Sequence, residues 1–177
     1  MDGGRLVVYI DGFSSGVNES IWVLKYLHRL QLAFQQLVLV IDPDSHGMEW
    51  AIGNLSINQY LLHQNNHSNG HQQANKLDTL FTTHNQIENV LLNHLLQNIE
   101  SNSHSRAMAH SIVLISSDSR LSRFLEKLIN QGISVFLFGK QSECDISLQN
   151  SCTKFQRIPE ECVDGSVSNV NELQNNE

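Results

Sequence analysis

The stretch "SIVLISSDSRLSRFLEKLINQGISVFLFG", Ser111 to Gly139, reads as an apolar strand, a tight polar turn, a helix and a second apolar strand. Ile112–Ser116 and Ile133–Phe138 are short, rich in β-forming residues and without a polar face. That is the pattern of strands covered on both sides in a parallel sheet. Leu121–Asn130 between them has helical spacing, and Gly132 supplies the turn that ends it. A strand–helix–strand unit is the building block of α/β folds. Asp118 stands directly after the first strand. It is either a helix cap or one member of an acidic site, depending on which other carboxylates reach the same edge of the sheet.

Upstream, Leu6–Ile10 is a short apolar run closed by Asp11-Gly12, which fits a buried strand. Asn18–Phe34 follows as a helix, with Ile21, Leu24, Leu27, Leu30 and Phe34 at helical spacing. Leu37–Ile41 is a second buried strand, and "DPDSHG" after it reads as a loop. Glu49–Leu62 is a weakly patterned helix. The polar run from His63 to Lys76 reads as a surface loop. Leu77–Thr82 fits a short strand, and Gln86–Ile99 is a helix with Ile87, Val90, Leu91, Leu95 and Ile99 on one face. The alternation predicts a three-layer, Rossmann-like α/β domain over residues 1–142, with a mostly parallel sheet of four to five strands. Residues 143–177 are expected to form an acidic, partly disordered tail.

Of the formal net charge of −7, most belongs to that tail, where seven acids face two bases. Residues 1–142 hold eleven acids against nine bases, so an acidic site there would account for the deficit. Cys144, Cys152 and Cys162 form no CxxC pair, which argues against a disulfide framework or a zinc knuckle. No run approaches the ~20 apolar residues of a membrane span. The expectation is a soluble intracellular protein of the cytoplasm or nucleus, with no membrane partner.

In a parallel α/β sheet, ligands bind at the carboxyl ends of the strands. Asp11 follows the first strand, Asp42 and Asp44 the second, and Asp118 the strand Ile112–Ser116. Glu88 lies in the first turn of a helix that begins at the same rim. Carboxylates gathered there repel one another unless a cation neutralises them, and oxygen-only ligands suit Mg²⁺ or Mn²⁺. The chemistry to expect with such an ion is phosphoryl transfer or phosphodiester hydrolysis. Each acid also has a purely structural role open to it. Asp118 suits a helix N-cap, Asp42 and Asp44 a turn, and Glu88 the positive end of a helix dipole.

"LVVYIDGFSSG" together with "IVLISSDSRLSRFLEKLINQGISVFLFG" resembles the NYN domains of the PIN-like nuclease superfamily. "FTTHNQIENVLL" resembles the family's intervening helix, which carries an acid. The similarity spans residues 5 to about 140. It implies a divalent-metal-dependent endoribonuclease that cleaves RNA, or a catalytically silent relative that binds RNA or a protein partner, a second copy of the chain included. By that resemblance the catalytic residues are Asp11, Glu88 and Asp118. These three would also ligate Mg²⁺ or Mn²⁺, with Asp42 as a further acid. Arg120 stands where many members carry another acid, and Ser14 where the first motif often has Asn. Arg120, Arg123 and Lys127 are spaced to share a helix face. They are either candidate contacts to RNA phosphates or a solvated face balanced by Glu126.

Three weaker signals complete the reading. His63, His67 and His71 would form a zinc-binding stripe on a helix, but the Asn- and Gly-rich residues between them point to a loop. Neither a Walker lysine nor GxGxxG accompanies "DGFSSG". "VIDPDSHG" is similar to the first motif of aspartate-nucleophile phosphatases, with Lys140 present but no later acidic pair.

Overall fold

The computed structural model describes residues 6–67, 77–101 and 111–161. Six strands and five helices alternate in the order β1 (Leu6–Asp11), α1 (Val17–Arg29), β2 (Gln36–Ile41), α2 (Pro43–His67), β3 (Leu77–Phe81), α3 (Ile87–Ser101), β4 (Ser111–Ile115), α4 (Ser122–Asn130), β5 (Ser134–Lys140), α5 (Ile146–Asn150) and β6 (Lys154–Ile158). Short 3₁₀ turns at His84–Gln86 and Ser119–Leu121 lead into α3 and α4.

All strands are parallel, in the order β3-β2-β1-β4-β5-β6. The chain builds outward from β1 through β2 to β3. It then crosses to the other side of β1 and builds outward again through β4, β5 and β6. The direction of winding therefore reverses between β1 and β4, which opens a crevice beyond their carboxyl ends.

Strand alternation sorts the core into two layers. Leu6, Val8, Ile10, Leu37, Leu39, Val113 and Ile115 pack against Trp22, Val23, Leu24 and Leu27 of α1 and Trp50, Ile57 and Leu61 of α2. Tyr9, Val38, Val40, Ile112, Leu114, Val135 and Leu137 pack against Leu91 and Leu95 of α3, Phe124, Leu125 and Leu128 of α4, and Leu148 of α5. The expected three-layer architecture is present.

The sheet has six strands rather than four to five. The additional strand is β6, which pairs with β5 from Phe136↔Lys154 to Lys140↔Ile158. The folded unit therefore continues past residue 142, the expected boundary, at least to Ile158. Buried Ile158, Leu148 and Cys144 anchor this part, but "KFQRI" is too short and mixed to announce a strand by itself. "DPDSHG" is likewise not a loop. Pro43 occupies the first turn of α2, where its missing N–H costs nothing, and Asp42 Oδ1 accepts the Asp44 N–H at 3.0 Å. Helix α1 stops at Arg29 instead of Phe34, because Gln31 takes a left-handed conformation (φ 55°) and turns the chain toward β2. Gly132 (φ 81°) ends α4 as anticipated. Helix α2 runs on to His67, while the rest of the expected polar loop, His71 included, lies outside the described residues, as do Cys162 and the end of the tail.

Gly12 closes β1 where three elements converge. Its N–H donates to the Val40 carbonyl at 2.9 Å, and its carbonyl accepts Trp50 Nε1–H at 3.2 Å. A Cβ here would overlap the Ile41 side chain and stand 3.0 Å from both the Val40 carbonyl oxygen and Trp50 Nε1. Gly12→Ala is expected to cost about 1–3 kcal/mol, the usual range for overpacking. Urea unfolding measures this, and an unchanged midpoint would mean that α2 and β2 yield freely.

Candidate functional site

Strand alternation puts Asp11 on the α3/α4 side of β1, two residues beyond Tyr9. It puts Ser116 on the same side of the chain leaving β4, two residues beyond Leu114. The register Ile10↔Ile115 makes Asp11 and Ser116 neighbours at the crevice. Asp11 is 1% exposed, so its carboxylate must be satisfied internally. Oδ1 accepts the Phe13 N–H at 3.0 Å. Oδ2 accepts the hydroxyls of Ser14 at 2.6 Å and Ser116 at 2.7 Å.

Each serine hydroxyl has one proton to give. With both protons committed to Asp11, the 3.1 Å approach of Ser14 Oγ to Ser116 Oγ is a close contact without a shared hydrogen. Both hydroxyl oxygens also accept from the β4 turn: Ser14 from the Ser117 N–H and Ser116 from the Asp118 N–H, each at 3.0 Å. Asp11 is thus the node that fastens the end of β1 to the end of β4.

Asp118 lies at the mouth of the crevice, with its side chain 8% exposed. It caps the 3₁₀ turn through the Arg120 N–H (3.1 Å). The Arg120 guanidinium forks onto it, Nε to Oδ1 at 2.9 Å and Nη2 to Oδ2 at 2.8 Å. His84 Nε2 meets Oδ2 at 3.0 Å. The His84 ring in turn stacks on Phe13, with centroids 4.8 Å apart and an interplanar angle of 8°. The connection from β3 to α3 therefore reaches back over the strand ends to Asp118.

The two carboxylates respond oppositely to these surroundings. Burial pushes the Asp11 carboxyl above the ordinary carboxylate range; its hydrogen bonds from Ser14, Ser116 and Phe13 oppose the shift without cancelling it, and the charge on Asp118 adds to it. Burial acts the same way on Asp118, but the hydrogen bonds and charge of Arg120, with His84, outweigh it and hold that carboxyl below the ordinary range. Two carboxylates against one guanidinium, with histidine counted as neutral, leave one excess negative charge. It falls on Asp11, whose hydrogen-bond partners are all uncharged groups. Farther along the rim Lys140 binds Glu19 at 2.7 Å and Glu143 at 3.4 Å, which adds no positive surplus.

The other expected site residues lie apart from this pair. Glu88 is 36% exposed on α3 and holds Lys127 of α4 at 2.9 Å. Asp42 is occupied at the start of α2, where its Oδ2 accepts the Ser45 hydroxyl at 3.2 Å. Among the described residues, no group of three or more His, Cys, Asp or Glu could hold a metal ion. Of the expected basic face, Arg120 sits in the 3₁₀ turn and is engaged by Asp118. Lys127 is engaged by Glu88, and Arg123 on α4 is exposed.

Mg²⁺ commonly takes only one or two carboxylates and completes its shell with waters and substrate phosphates. Asp11 and Asp118 are an oxygen-donor pair of that kind, and the uncompensated charge on Asp11 is what a cation would neutralise. A carboxylate has about four acceptor positions. Asp11 uses three, leaving one on Oδ1, whereas Asp118 is filled as long as Arg120 stays in place. Asp118 could offer an oxygen to an ion only if Arg120 moved off it.

Ser14, Ser116, Phe13 and His84 were not singled out as site residues from the sequence. Ser116 follows from strand register and Ser14 from the β1 turn. His84 depends on the path of a loop, for which the sequence holds no pattern.

Fold and crevice together define a three-layer, Rossmann-like α/β protein with a pair of carboxylates at its topological switch point. No helix among the described residues is long and apolar enough to cross a membrane. No family model and no curated protein matches the chain. Among solved structures it is similar to a protein of unknown function from Vibrio parahaemolyticus, at 12% identity and a TM-score of 0.45, over 90% of this chain and 96% of that one.

Proposed function

We propose that the chain is a PIN-like, divalent-metal-dependent endoribonuclease whose ion, Mg²⁺ or Mn²⁺, is held by Asp11 and Asp118. The observation that carries this reading is the buried Asp11 carboxylate, which has no cation in hydrogen-bond contact and is joined through the Ser116 hydroxyl to the backbone N–H of a second acid, Asp118. A buried, uncompensated charge is costly and is characteristic of functional sites. The resemblance of the Asp11 and Asp118 motifs to NYN domains supports the choice of RNA as substrate. When bound, the ion would neutralise phosphodiester charge and lower the pKa of a water molecule.

The chain's own groups have separable tasks in this reading. Ser14 and Ser116 fix the orientation of Asp11, as outer-shell hydrogen bonds do for ligating carboxylates. Arg120 leaves Asp118 and, with exposed Arg123, meets the RNA phosphates. The flat Phe13–His84 pair at the mouth offers a ring surface against which an unpaired base can stack. Glu88 is reassigned from ligand to partner of Lys127.

A second reading is a catalytically silent domain that binds RNA or a protein. Its support is the Arg120 fork, which already satisfies Asp118. Mn²⁺ titration followed by thermal melting, with cleavage of single-stranded RNA assayed in parallel, separates the two. A real site gains stability by mass action, about 2.7 kcal/mol at a hundredfold excess over Kd. Absence of both stabilisation and cleavage assigns the silent reading. Because Arg120 and the ion compete for Asp118, Arg120→Ala is expected to tighten Mn²⁺ binding by roughly three- to tenfold, the scale of a partly exposed ion pair. Unchanged or weaker binding would remove the competition from the account.

A further inference from the structure

Helix α2 is apolar on two opposite sides. Trp50, Ile57 and Leu61 are buried against the sheet. On the other side Met48 (81% exposed), Ile52 (64%), Leu55 (66%) and Leu62 (58%) face outward. Their spacing, with exposed Gln59 completing it, alternates four and three residues over Met48, Ile52, Leu55, Gln59 and Leu62. That is the seam of a coiled coil, in which a single polar position commonly fixes register. An apolar stripe on a helix is normally a covered one. We infer that this seam is an antiparallel docking surface for α2 of a second copy of the chain.

The charges on the helix select the occupant. Between Pro43 and His67 there is no Lys or Arg. RNA phosphates or an anionic lipid surface would call for basic residues flanking the seam. Ala51, Ser56 and Gln59 alongside it are exposed and uncharged. The two acids, Asp44 and Glu49, lie near the N-terminal end, and exposed His63 lies toward the C-terminal end. A parallel pair would set four acids side by side. An antiparallel pair separates them and opposes the two helix dipoles favourably. The same sequence stripe on both copies satisfies the self-complementarity that a two-fold contact demands.

The seam covers four turns of one helix, about 21 Å at 1.5 Å per residue. This is a small interface, so the dimer is expected to dissociate on dilution. Sedimentation equilibrium from about 5 to 500 μM spans the range suited to a contact of this size. The expected result is a monomer–dimer equilibrium for the wild type. Leu55→Glu, and separately Met48→Lys, should be monomeric at the highest concentration with an unchanged circular dichroism spectrum. Both side chains are exposed, so neither change disturbs the core, and the second variant stands in if the first folds poorly. Met48→Cys combined with Leu62→Cys should give a disulfide between copies on mild oxidation, whereas Met48→Cys alone should not. A wild type that stays monomeric throughout, or a Leu55→Glu protein that still dimerises, overturns the inference. The seam is remote from Asp11 and Asp118 in the chain and on the opposite face of the sheet, so neither result depends on the nuclease reading.

Discussion

Asp118→Asn is expected to abolish Mn²⁺-dependent RNA cleavage, by more than about a hundredfold, while the protein stays folded. The loss should exceed the 10–100-fold that removal of an outer-shell partner typically costs, because the proposed site would lose a ligand itself. Asn caps helix starts about as well as Asp, so its side-chain oxygen can still accept the Arg120 N–H. The guanidinium loses its carboxylate, but Arg120 is 48% exposed and can turn into water. A pair so placed contributes roughly 0–1 kcal/mol. Melting with and without Mn²⁺, beside a cleavage time course, reads both parts. Asp118 is stabilising while ionised, because its native pKa lies below its unfolded value. That contribution is present above the ordinary carboxylate range and is lost as pH falls through the depressed native pKa. The variant should therefore lack this acid-side loss. Cleavage undiminished in Asp118→Asn would end the nuclease assignment.

Asp11→Asn is expected to do two things that rarely coincide, raising stability at neutral pH while eliminating cleavage. The native pKa of Asp11 is raised, so the group favours folding when protonated, and that advantage disappears as pH rises through the raised value. Once ionised, the wild type carries a buried charge that the amide lacks. The amide keeps part of the hydrogen-bond set. Its oxygen can accept the Phe13 N–H and its NH₂ can donate to a serine hydroxyl. One of the two freed hydroxyl protons can then bridge the 3.1 Å between Ser14 and Ser116, and the other must turn away from the amide nitrogen. A gain of about 1 kcal/mol, or some 2–4 °C in Tm for a chain of this size, is the expected scale. The gain should shrink toward zero as pH is lowered into the ordinary carboxylate range, where the wild type is itself neutral. A Tm that falls at pH 7 would mean that the ionised carboxylate is worth more to the hydrogen-bond node than its burial costs. The uncompensated charge would then no longer argue for a cation.

Much of the fold was legible because its signals are local. Ile112–Ser116 and Ile133–Phe138 are apolar without alternation, as strands covered on both faces must be, and Gly132 marks the turn between helix and strand. Helix α2 resisted reading for the opposite reason. Trp50, Ile57 and Leu61 on one side and Met48, Ile52, Leu55 and Leu62 on the other cancel each other's periodicity. β6 was missed because an edge strand of five residues with two bases gains its stability from β5 rather than from its own pattern. At the site, Asp11 and Asp118 were legible as acids at strand ends. Glu88 was legible too, but its expected place beside them was not realised, since Lys127 of the neighbouring helix holds it.

By itself the sequence determined the α/β class, the parallel strands and the two acids that close β1 and β4. These depend on hydrophobic period and turn chemistry, which act over a few residues. Only the tertiary structure decided that Ser14 and Ser116 clasp Asp11, that His84 arrives from beyond β3, and that Arg120 folds back onto Asp118. It also decided which apolar stripe of α2 is left outside. Each of these turns on strand order and on which neighbour can neutralise a charge or cover a face. Such pairings join residues up to 105 positions apart, a range over which chain-local preferences carry no information.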